Sequence, residues 1–273
     1  MRGKSNERRS AKADGVCTVC IAGMHRSGTS LMANYFQHCG IPMGDDLVGP
    51  GVGNRLGHFE DRDFLEFHKQ LLVDNRTNMF VPRKPVFVSQ QRRVEARALL
   101  ARKSSQHPVW GWKEPRTSLF LDLWADLHHG LRFVFMYREP LVVVESLYRQ
   151  MKIKYLYGAP WLAVQSWIHY NEQLLDFHAR QPRRCVFVNI NGFNAQPRAN
   201  AQRLADAIGV LLDRPYEDVY RHQEMSSGQK PLKPFPIGLY LGFAQRWWGS
   251  RLDALMARID DVALVRSPSG QSN

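Results

Sequence analysis

The chain has 273 residues, of which 44% are hydrophobic and 11% aromatic, and these are the values of a globular protein with one large domain and an ample core. Its formal net charge of +12 favours an anionic partner, which nucleic acid, an anionic lipid surface or a small polyanion would each provide. No stretch approaches the roughly 18 consecutive apolar residues of a transmembrane helix, so no membrane span is predicted.

Residues 1–14 are predicted to form a disordered basic tail. They have five Lys or Arg among the first twelve residues and no apolar run. The missing apolar region argues against a secretory signal, and Glu7 argues against a transit peptide. We therefore expect one folded domain over residues 15–262 and a second disordered tail over residues 263–273.

A glycine-rich turn, Gly23–Ser30, follows a short predicted strand, Val16–Ile21, and precedes an amphipathic helix. Such a turn directs several backbone N–H groups and the positive end of the helix to one place, so it binds an anion. The spacing is that of the phosphate-binding motif G-x-x-x-x-G-K-[ST], but Thr29 stands where that motif has its lysine, and the cation is Arg26 inside the loop. An enzyme of nucleoside triphosphates is therefore disfavoured, and a different activated anion is expected.

The segment Gly57–Asp63 is rich in groups that can accept a proton. A hydroxyl substrate needs a base, and carboxylate and imidazole are the usual choices. The candidates are His58, Glu60, Asp61 and Asp63. The alternative for the two aspartates is that one of them caps a helix that begins there and runs through Leu71.

Two further apolar runs end in charged residues and are predicted to be central parallel strands. The first lies in the stretch Val109–Arg116, whose apolar part ends in the charged residues Lys113, Glu114 and Arg116 around Pro115. The second is Leu131–Tyr137, which ends at Arg138 and is followed by a helix with Pro140 in its first turn. Open α/β sheets bind ligands at the carboxyl ends of their strands, so Arg138 indicates a second phosphate site. A kinase would often have a magnesium-binding Asp there.

The rest of the sequence alternates between helical and extended patterns. Helices are predicted at Gln90–Lys103, Thr117–His128, Pro160–Arg180, Arg198–Leu212 (which Gly209 interrupts) and Gly238–Ile259, and a late strand at Arg184–Ile190. In the last helix, Trp247 and Trp248 lie between Arg246 and Arg251, a pattern compatible with weak contact to a membrane surface. Packing of that helix on the domain is the favoured alternative.

The four cysteines indicate a reducing compartment. Cys17 and Cys20 have the spacing of a metal or redox pair, but no second pair for zinc and no helix start follows them. They are predicted to be buried strand thiols, with Cys39 in the first helix and Cys185 in the late strand.

Arg-Ser-Gly-Thr-Ser after a first strand resembles the 5′-phosphosulfate loop of the sulfotransferases, which use 3′-phosphoadenosine 5′-phosphosulfate (PAPS) as sulfuryl donor. The resemblance covers about Val16 to Leu212 and includes the three charged segments described above. It implies a P-loop NTPase-like three-layer α/β fold with a central, mainly parallel sheet flanked by helices. It also implies that PAPS is bound by Arg26, Ser27, Gly28, Thr29, Ser30, Arg138 and Ser146.

The same resemblance assigns catalytic roles. Lys113-Glu114-Pro115 is similar to a Lys-Asp-Pro element whose lysine reaches the transferring sulfuryl group, so Lys113 is expected to act with Arg26. Glu60 is expected to be the base, because tyrosylprotein sulfotransferases use a Glu from the segment after the loop helix. Two family features are missing: the Tyr-Glu after the late strand and the late R-x-G-x-x-G-x-x-K loop, for which Ser226–Lys230 is a possible substitute.

The sequence therefore predicts a cytoplasmic, PAPS-dependent O-sulfotransferase that needs no metal and binds no nucleic acid. Its acceptor bears a hydroxyl and is a sugar, a lipid headgroup, a phenol or a tyrosine. Two other classes stay open: a P-loop nucleotide kinase or ATPase, and a non-catalytic basic protein that binds nucleic acid or anionic lipid.

Overall fold

A computed structural model of this protein describes residues 17–49, 57–80, 86–150, 161–220 and 235–268. The predicted N-terminal tail, residues 1–14, and the segment Ser226–Lys230 lie outside the described residues. Residues 269–273 of the second predicted tail lie outside them too.

The fold is built on a sheet of four parallel strands. The strands are β1 (Cys17–Ala22), β2 (Val109–Lys113), β3 (Leu131–Tyr137) and β4 (Cys185–Asn189). Their order in the sheet is β2-β1-β3-β4, so β1 lies between β2 and β3. The predicted bounds of β3 are confirmed residue for residue, and β2 lies in the predicted stretch, because a strand buried on both faces is a continuous apolar run.

Helices cover both faces of the sheet. In the described part of the chain they are α1 (Thr29–His38), α2 (Arg62–Asp74), α3 (Gln90–Ser104), α4 (Leu121–Leu127), α5 (Pro140–Gln150), α6 (Trp161–Arg180), α7 (Ile190–Ala195), α8 (Pro197–Ile208) and α9 (Phe235–Val262). Successive side chains of a strand point to opposite faces. Cys20 and Ala22 of β1 therefore join a core with residues of α3 to α6 and α9, whereas Val19 and Ile21 join another with residues of α1 and α8. The three-layer α/β architecture is confirmed.

The predicted helix Thr117–His128 is wrong in its first part. Residues Pro115–Leu119 form a 3₁₀ turn, and α4 begins only at Leu121. Buried tertiary hydrogen bonds set this turn: Trp112 Nε1 donates to Thr117 Oγ1 at 3.2 Å, and the N–H of Gly23 donates to Ser118 Oγ at 2.9 Å. The turn after β2 is thereby joined to the glycine-rich loop after β1.

The segment after α9 differs from the predicted tail at 263–273. The N–H of Leu264 donates to the carbonyl of Phe187, and the N–H of Asn189 donates to the carbonyl of Val265, at 3.0 and 2.9 Å. These bonds satisfy the otherwise open edge of β4. A Cβ on Gly192 would lie 1.9 Å from the carbonyl oxygen of Arg266, so the segment passes a position where only glycine fits. Residues 264–266 therefore belong to the fold, unlike the predicted tail.

Helix α9 packs on α5 and α6 through one face. Leu252, Leu255 and Ile259 on that face are buried. Trp248 is partly buried against the same core, as the favoured alternative expects, whereas Trp247 is exposed. None of the helices in the described ranges combines the length and apolar character needed to cross a bilayer. Contact of Trp247 with a membrane surface stays a prediction.

Candidate functional site

The candidate site lies at the carboxyl end of β1, where the order of the strands reverses. A crevice forms at such a point in open α/β sheets because the connections leave β1 and its neighbours in opposite directions. Three predicted site segments meet there: the loop Gly23–Ser30 follows β1, Lys113 ends β2, and Arg138 follows β3. The topology thus brings together residues that are more than a hundred positions apart.

The loop backbone has the conformation of an anion-binding turn. Gly23, Arg26 and Gly28 all have positive φ, at 142°, 73° and 89°. A Cβ on Gly23 would lie 2.2 Å from the carbonyl oxygen of Met136, so glycine lets the loop lie directly against β3. Gly28 is the N-cap of α1, and no side chain caps the first turn of that helix. The first-turn N–H groups and the helix dipole therefore favour an anion at this point.

Two guanidinium groups and one hydroxyl lie together beside this loop. Arg26 Nε donates to Ser146 Oγ of α5 at 2.8 Å. Burial and the nearby charge of Arg138 lower the pKa of Arg26. The sequence analysis grouped Ser146 with Arg138, whereas in the structure Ser146 is bonded to Arg26, on which the charge of Arg138 acts. Like charges this close disfavour each other, so the arrangement suits a bound polyanion.

Arg138 has a buried hydrogen-bonding atom with no partner. Its Nε makes no hydrogen bond, and its contact with the carboxylate of Glu139 is long, at 3.9 Å. Glu139 instead accepts a 2.6 Å hydrogen bond from Asn191 Nδ2 of α7. The hydroxyl of Ser27 in the loop is also buried without a partner. Buried polar atoms are nearly always paired, so these two indicate that a ligand completes the site.

Lys113 and Glu60, the predicted catalytic pair, form an ion pair. Lys113 Nζ lies 2.9 Å from Glu60 Oε1, and Lys113 is only 1% exposed. Burial lowers the pKa of Lys113, and the carboxylate of Glu60 opposes that effect. Phe59, with φ at 54°, turns the chain just before Glu60. Within the described residues Oε1 is the only carboxylate oxygen of Glu60 that is paired, which leaves Oε2 available for a substrate proton.

Asp61 and Asp63 are structural, as the helix-cap alternative predicts for the first of them. Asp61 Oδ1 accepts the N–H of Asp63 at 2.9 Å and so caps α2. Lys103, nearly fully buried, lies 2.6 Å from Asp61, 2.8 Å from Asp63 and 2.8 Å from Asp45. Because both aspartates pair with Lys103, they are poor candidates for the base.

Glu114, which follows Lys113, is fully buried and contacts other side chains of the core. Its Oε2 lies 2.7 Å from His68 Nδ1 of α2 without hydrogen-bond alignment, and its Oε1 accepts a hydrogen bond from Arg116. Burial alone would raise the pKa of Glu114, but Arg116 and His68 hold it well below its usual range. His68 Nε2 accepts from Trp124 Nε1 at 2.9 Å. This network joins α2, whose entrance carries Glu60, to the end of β2, which carries Lys113.

Two histidines border the pair of Lys113 and Glu60. The backbone carbonyl of His58 accepts a 3.1 Å hydrogen bond from Ser30 Oγ, and burial lowers the pKa of its ring, with Glu60 acting in the opposite direction. His25 lies inside the loop, and burial followed by the charge of Arg116 lowers its pKa to about 3. The sequence analysis did not single out His25; its place one residue before Arg26 was the available signal.

Comparison with known proteins places these residues in a family context. A model described as "Sulfotransferase family" matches residues 18–214, a range that contains every candidate residue from Arg26 to Ser146. Among solved structures, the sulfotransferase STF9 from Mycobacterium avium is similar at a TM-score of 0.52 and 14% identity, over 89% of this chain and 77% of that one. The sulfotransferase domain of the Synechococcus PCC 7002 olefin synthase is similar at 0.50 and 15%, over 85% and 96%. These two likenesses are of fold. No curated protein matches the sequence.

Proposed function

The chain belongs to the sulfotransferase family, and from this premise we propose that it is a PAPS-dependent O-sulfotransferase. The observation that carries the proposal is the convergence of Arg26 and Arg138, from two different strand ends, beside the uncapped start of α1. A donor with phosphates at both ends of its ribose offers an anion to each arginine. ATP has no 3′-phosphate and would leave Arg138 without one.

The chemistry of the side chains matches each part of this donor. The loop N–H groups, Ser27 and Arg26 face the place of a 5′-phosphosulfate, and the buried unpaired hydroxyl of Ser27 supports an oxygen ligand there. Arg138 presents a guanidinium whose Nε also lacks a partner, and a guanidinium binds phosphate as a planar fork. PAPS supplies a sulfuryl group on a phosphate leaving group.

Lys113 and Arg26 stabilise the negative charge that grows on oxygen during transfer. Fixed cations in a site that excludes water act strongly on such charge, as in phosphoryl transfer. The buried ammonium of Lys113 is paired with Glu60, and in the proposed complex it also contacts a sulfuryl oxygen. Lys113 thus supplies a positive charge beside the sulfuryl oxygens, and no cation has to enter from solvent.

Glu60 accepts the proton of the acceptor hydroxyl. As the hydroxyl oxygen forms its bond to sulfur, its proton moves to Oε2, and the bond from sulfur to the phosphate oxygen breaks with its electron pair on the phosphate. The products are a sulfate ester and 3′,5′-ADP. The acceptor is a hydroxyl-bearing molecule, and the chain acts as one domain from about residue 15 to beyond α9.

Isothermal titration calorimetry with 3′,5′-ADP tests the proposal. We expect 3′,5′-ADP to bind and to raise the melting temperature, and ATP with magnesium to do so far less, because the loss of charge-assisted contacts costs about 1.5–3 kcal/mol each. Arg138→Ala is the matched variant and should remove most of the difference between the two nucleotides. Equal thermal shifts with both at the same concentration would contradict the proposal and favour a nucleotide kinase or ATPase. Salt-sensitive binding of nucleic acid or anionic vesicles with indifference to 3′,5′-ADP would favour a basic binding protein.

A further inference from the structure

His25 is a polar side chain of the loop for which no hydrogen bond to another described residue is present at Nε2. Its Nε2 is buried without a partner, although the residue as a whole is only partly buried. Buried nitrogens of this kind are normally paired, because leaving one unpaired costs the desolvation free energy of the group. An unpaired imidazole in an anion-binding loop therefore indicates a partner that enters with the ligand.

The position of His25 points to the end of the donor where transfer takes place. The charges that act on its ring are those of Arg116, Glu114, Lys113 and Arg26. It therefore lies between the loop and the end of β2, next to the two cations that are assigned to the transferring group.

His25 is also neutral at pH values near 7, because its pKa is lowered to about 3. Burial, Arg116, Lys113 and Arg26 all oppose its protonation, and only Glu114 favours it. A neutral imidazole has one N–H and one lone pair. Sulfuryl oxygens accept hydrogen bonds and donate none, so only the N–H of His25 can bond to them.

We propose that His25 is a catalytic residue whose imidazole N–H donates a hydrogen bond to an oxygen of the transferring sulfuryl group. The proposal rests on the function proposed above, and it adds an uncharged donor to the two cations. Another cation at this place would raise the mutual repulsion of Arg26 and Lys113, whereas a neutral N–H supplies a directed hydrogen bond without that cost. It differs from Arg138 in that it recognises the group that is transferred and not the nucleotide that remains.

The experiment compares two ligands that differ only in the sulfuryl group. Calorimetry gives the dissociation constants of PAPS and of 3′,5′-ADP, without acceptor, for the wild type, His25→Phe and His25→Gln. His25→Phe keeps a ring and removes the N–H, whereas His25→Gln keeps an N–H donor. We expect His25→Phe to weaken PAPS roughly ten- to a hundredfold while 3′,5′-ADP changes little, and His25→Gln to restore most of the loss. His129→Phe, on an exposed residue before β3, is the matched control.

A second readout uses the wild-type protein. In ¹⁵N-histidine-labelled protein, the ring nitrogens of His25 should show a neutral tautomer, should move little on addition of 3′,5′-ADP and should shift on addition of PAPS. This measurement does not depend on whether the Phe variant folds.

Each outcome bears on one claim. If 3′,5′-ADP fails to bind the wild type, the proposed function is wrong. If it binds, but His25→Phe leaves the ratio of the two dissociation constants unchanged, the role of His25 is wrong and the function stands. Ring nitrogens that ignore PAPS but shift in Glu114→Gln would also overturn the role, because His25 would then serve the buried network of Glu114.

Discussion

Lys113 Nζ and Glu60 Oε1 lie 2.9 Å apart, although 53 positions separate these residues in the chain. The contact is held from both sides: Lys103 fixes Asp61, which follows Glu60, and Glu114, which follows Lys113, contacts His68 of α2. Lys113, predicted to stabilise negative charge, and Glu60, predicted to accept the proton, thus form one unit. A change in either residue therefore acts on the other.

Arg138→Ala and Lys113→Ala should separate donor binding from turnover. Arg138 is assigned to a phosphate that is the same in the ground and transition states, so its loss should raise the dissociation constant of 3′,5′-ADP and the KM for PAPS. Lys113 is assigned to oxygens whose charge grows during transfer, so its loss should lower kcat on the order of a hundredfold or more. Steady-state kinetics with calorimetry checks both. A Lys113→Ala enzyme with a raised KM and unchanged kcat would contradict the role of the lysine.

Removing Lys113 also leaves the carboxylate of Glu60 buried and unpaired, which is destabilising. Urea unfolding of Lys113→Ala and of Lys113→Ala with Glu60→Gln is the control. The double variant should recover part of the lost stability and none of the lost kcat.

Glu60→Gln preserves the shape of the side chain and removes its ability to take a proton. Activity on an alcohol acceptor should fall by about 10²–10⁴, with the affinity for 3′,5′-ADP intact. The loss should be smaller for a phenolic acceptor, which gives up its proton more readily. Initial rates with paired alcohol and phenol acceptors measure this. Near-normal rates in Glu60→Gln beside a collapse in His58→Gln would transfer the role of base to the histidine.

The buried pair of Lys103 and Asp61 should matter more for stability than exposed pairs of similar length. Lys103→Met leaves Asp61 buried without its cation and should lower the free energy of unfolding by about 3–5 kcal/mol. The matched control is Lys69→Met, because Lys69 contacts Glu66 at 2.7 Å on the surface and should contribute at most about 0.5 kcal/mol. Urea unfolding of both variants measures the difference. Equal losses would show that the buried cluster is not what holds the entrance of α2.

The protein should become less stable as the pH is lowered through the range in which His25 is neutral in the folded protein. Its folded pKa of about 3 lies below the ordinary value near 6.5, so between these values the unfolded chain binds a proton that the folded protein does not. The free energy of unfolding therefore decreases as pH falls below about 6.5, by at most about 1.4 kcal/mol per pH unit for this one group.

The measurement is urea unfolding between pH 4.8 and 6.8, a range chosen above the usual pKa values of the carboxyl groups. Four other histidines with lowered pKa act in the same direction, namely His58, His128, His169 and His178. The slope should therefore become smaller in His25→Gln without vanishing. Identical slopes in His25→Gln and wild type would mean that the ring is not shielded in the folded state.

The sequence predicted those features of the site that depend on local pattern. A continuous apolar run followed by Arg138 identified β3 and its carboxyl end, and the glycine spacing identified the loop. Neither pattern shows which other residue a given side chain contacts in the folded protein. The bond between Arg26 and Ser146 joins the first loop to α5, so it could not be read from either segment.

Buried polar networks were the main features that sequence patterns did not indicate. Lys103 ends a predicted helix whose residues are mostly polar, yet it is buried among three carboxylates. His68 has the spacing of an ordinary core residue on the apolar face of α2, and nothing nearby in the chain marks Glu114 as its partner. The family resemblance likewise concerned the residues expected to contact the donor and not those that hold them in place.

The strand-like pairing of Val265 with Val188 sets a limit on how this protein can be shortened. A recombinant fragment that stops at residue 214, where the family match ends, would keep every candidate residue and lose both α9 and the segment that covers β4. Its sheet would end in an uncovered strand with free N–H and C=O groups, which is a template for association between copies. Tyr137, which ends β3, would also lose Asp260, whose carboxylate accepts its hydroxyl at 2.5 Å. Fragments made for crystallography or NMR should therefore retain the chain through residue 268.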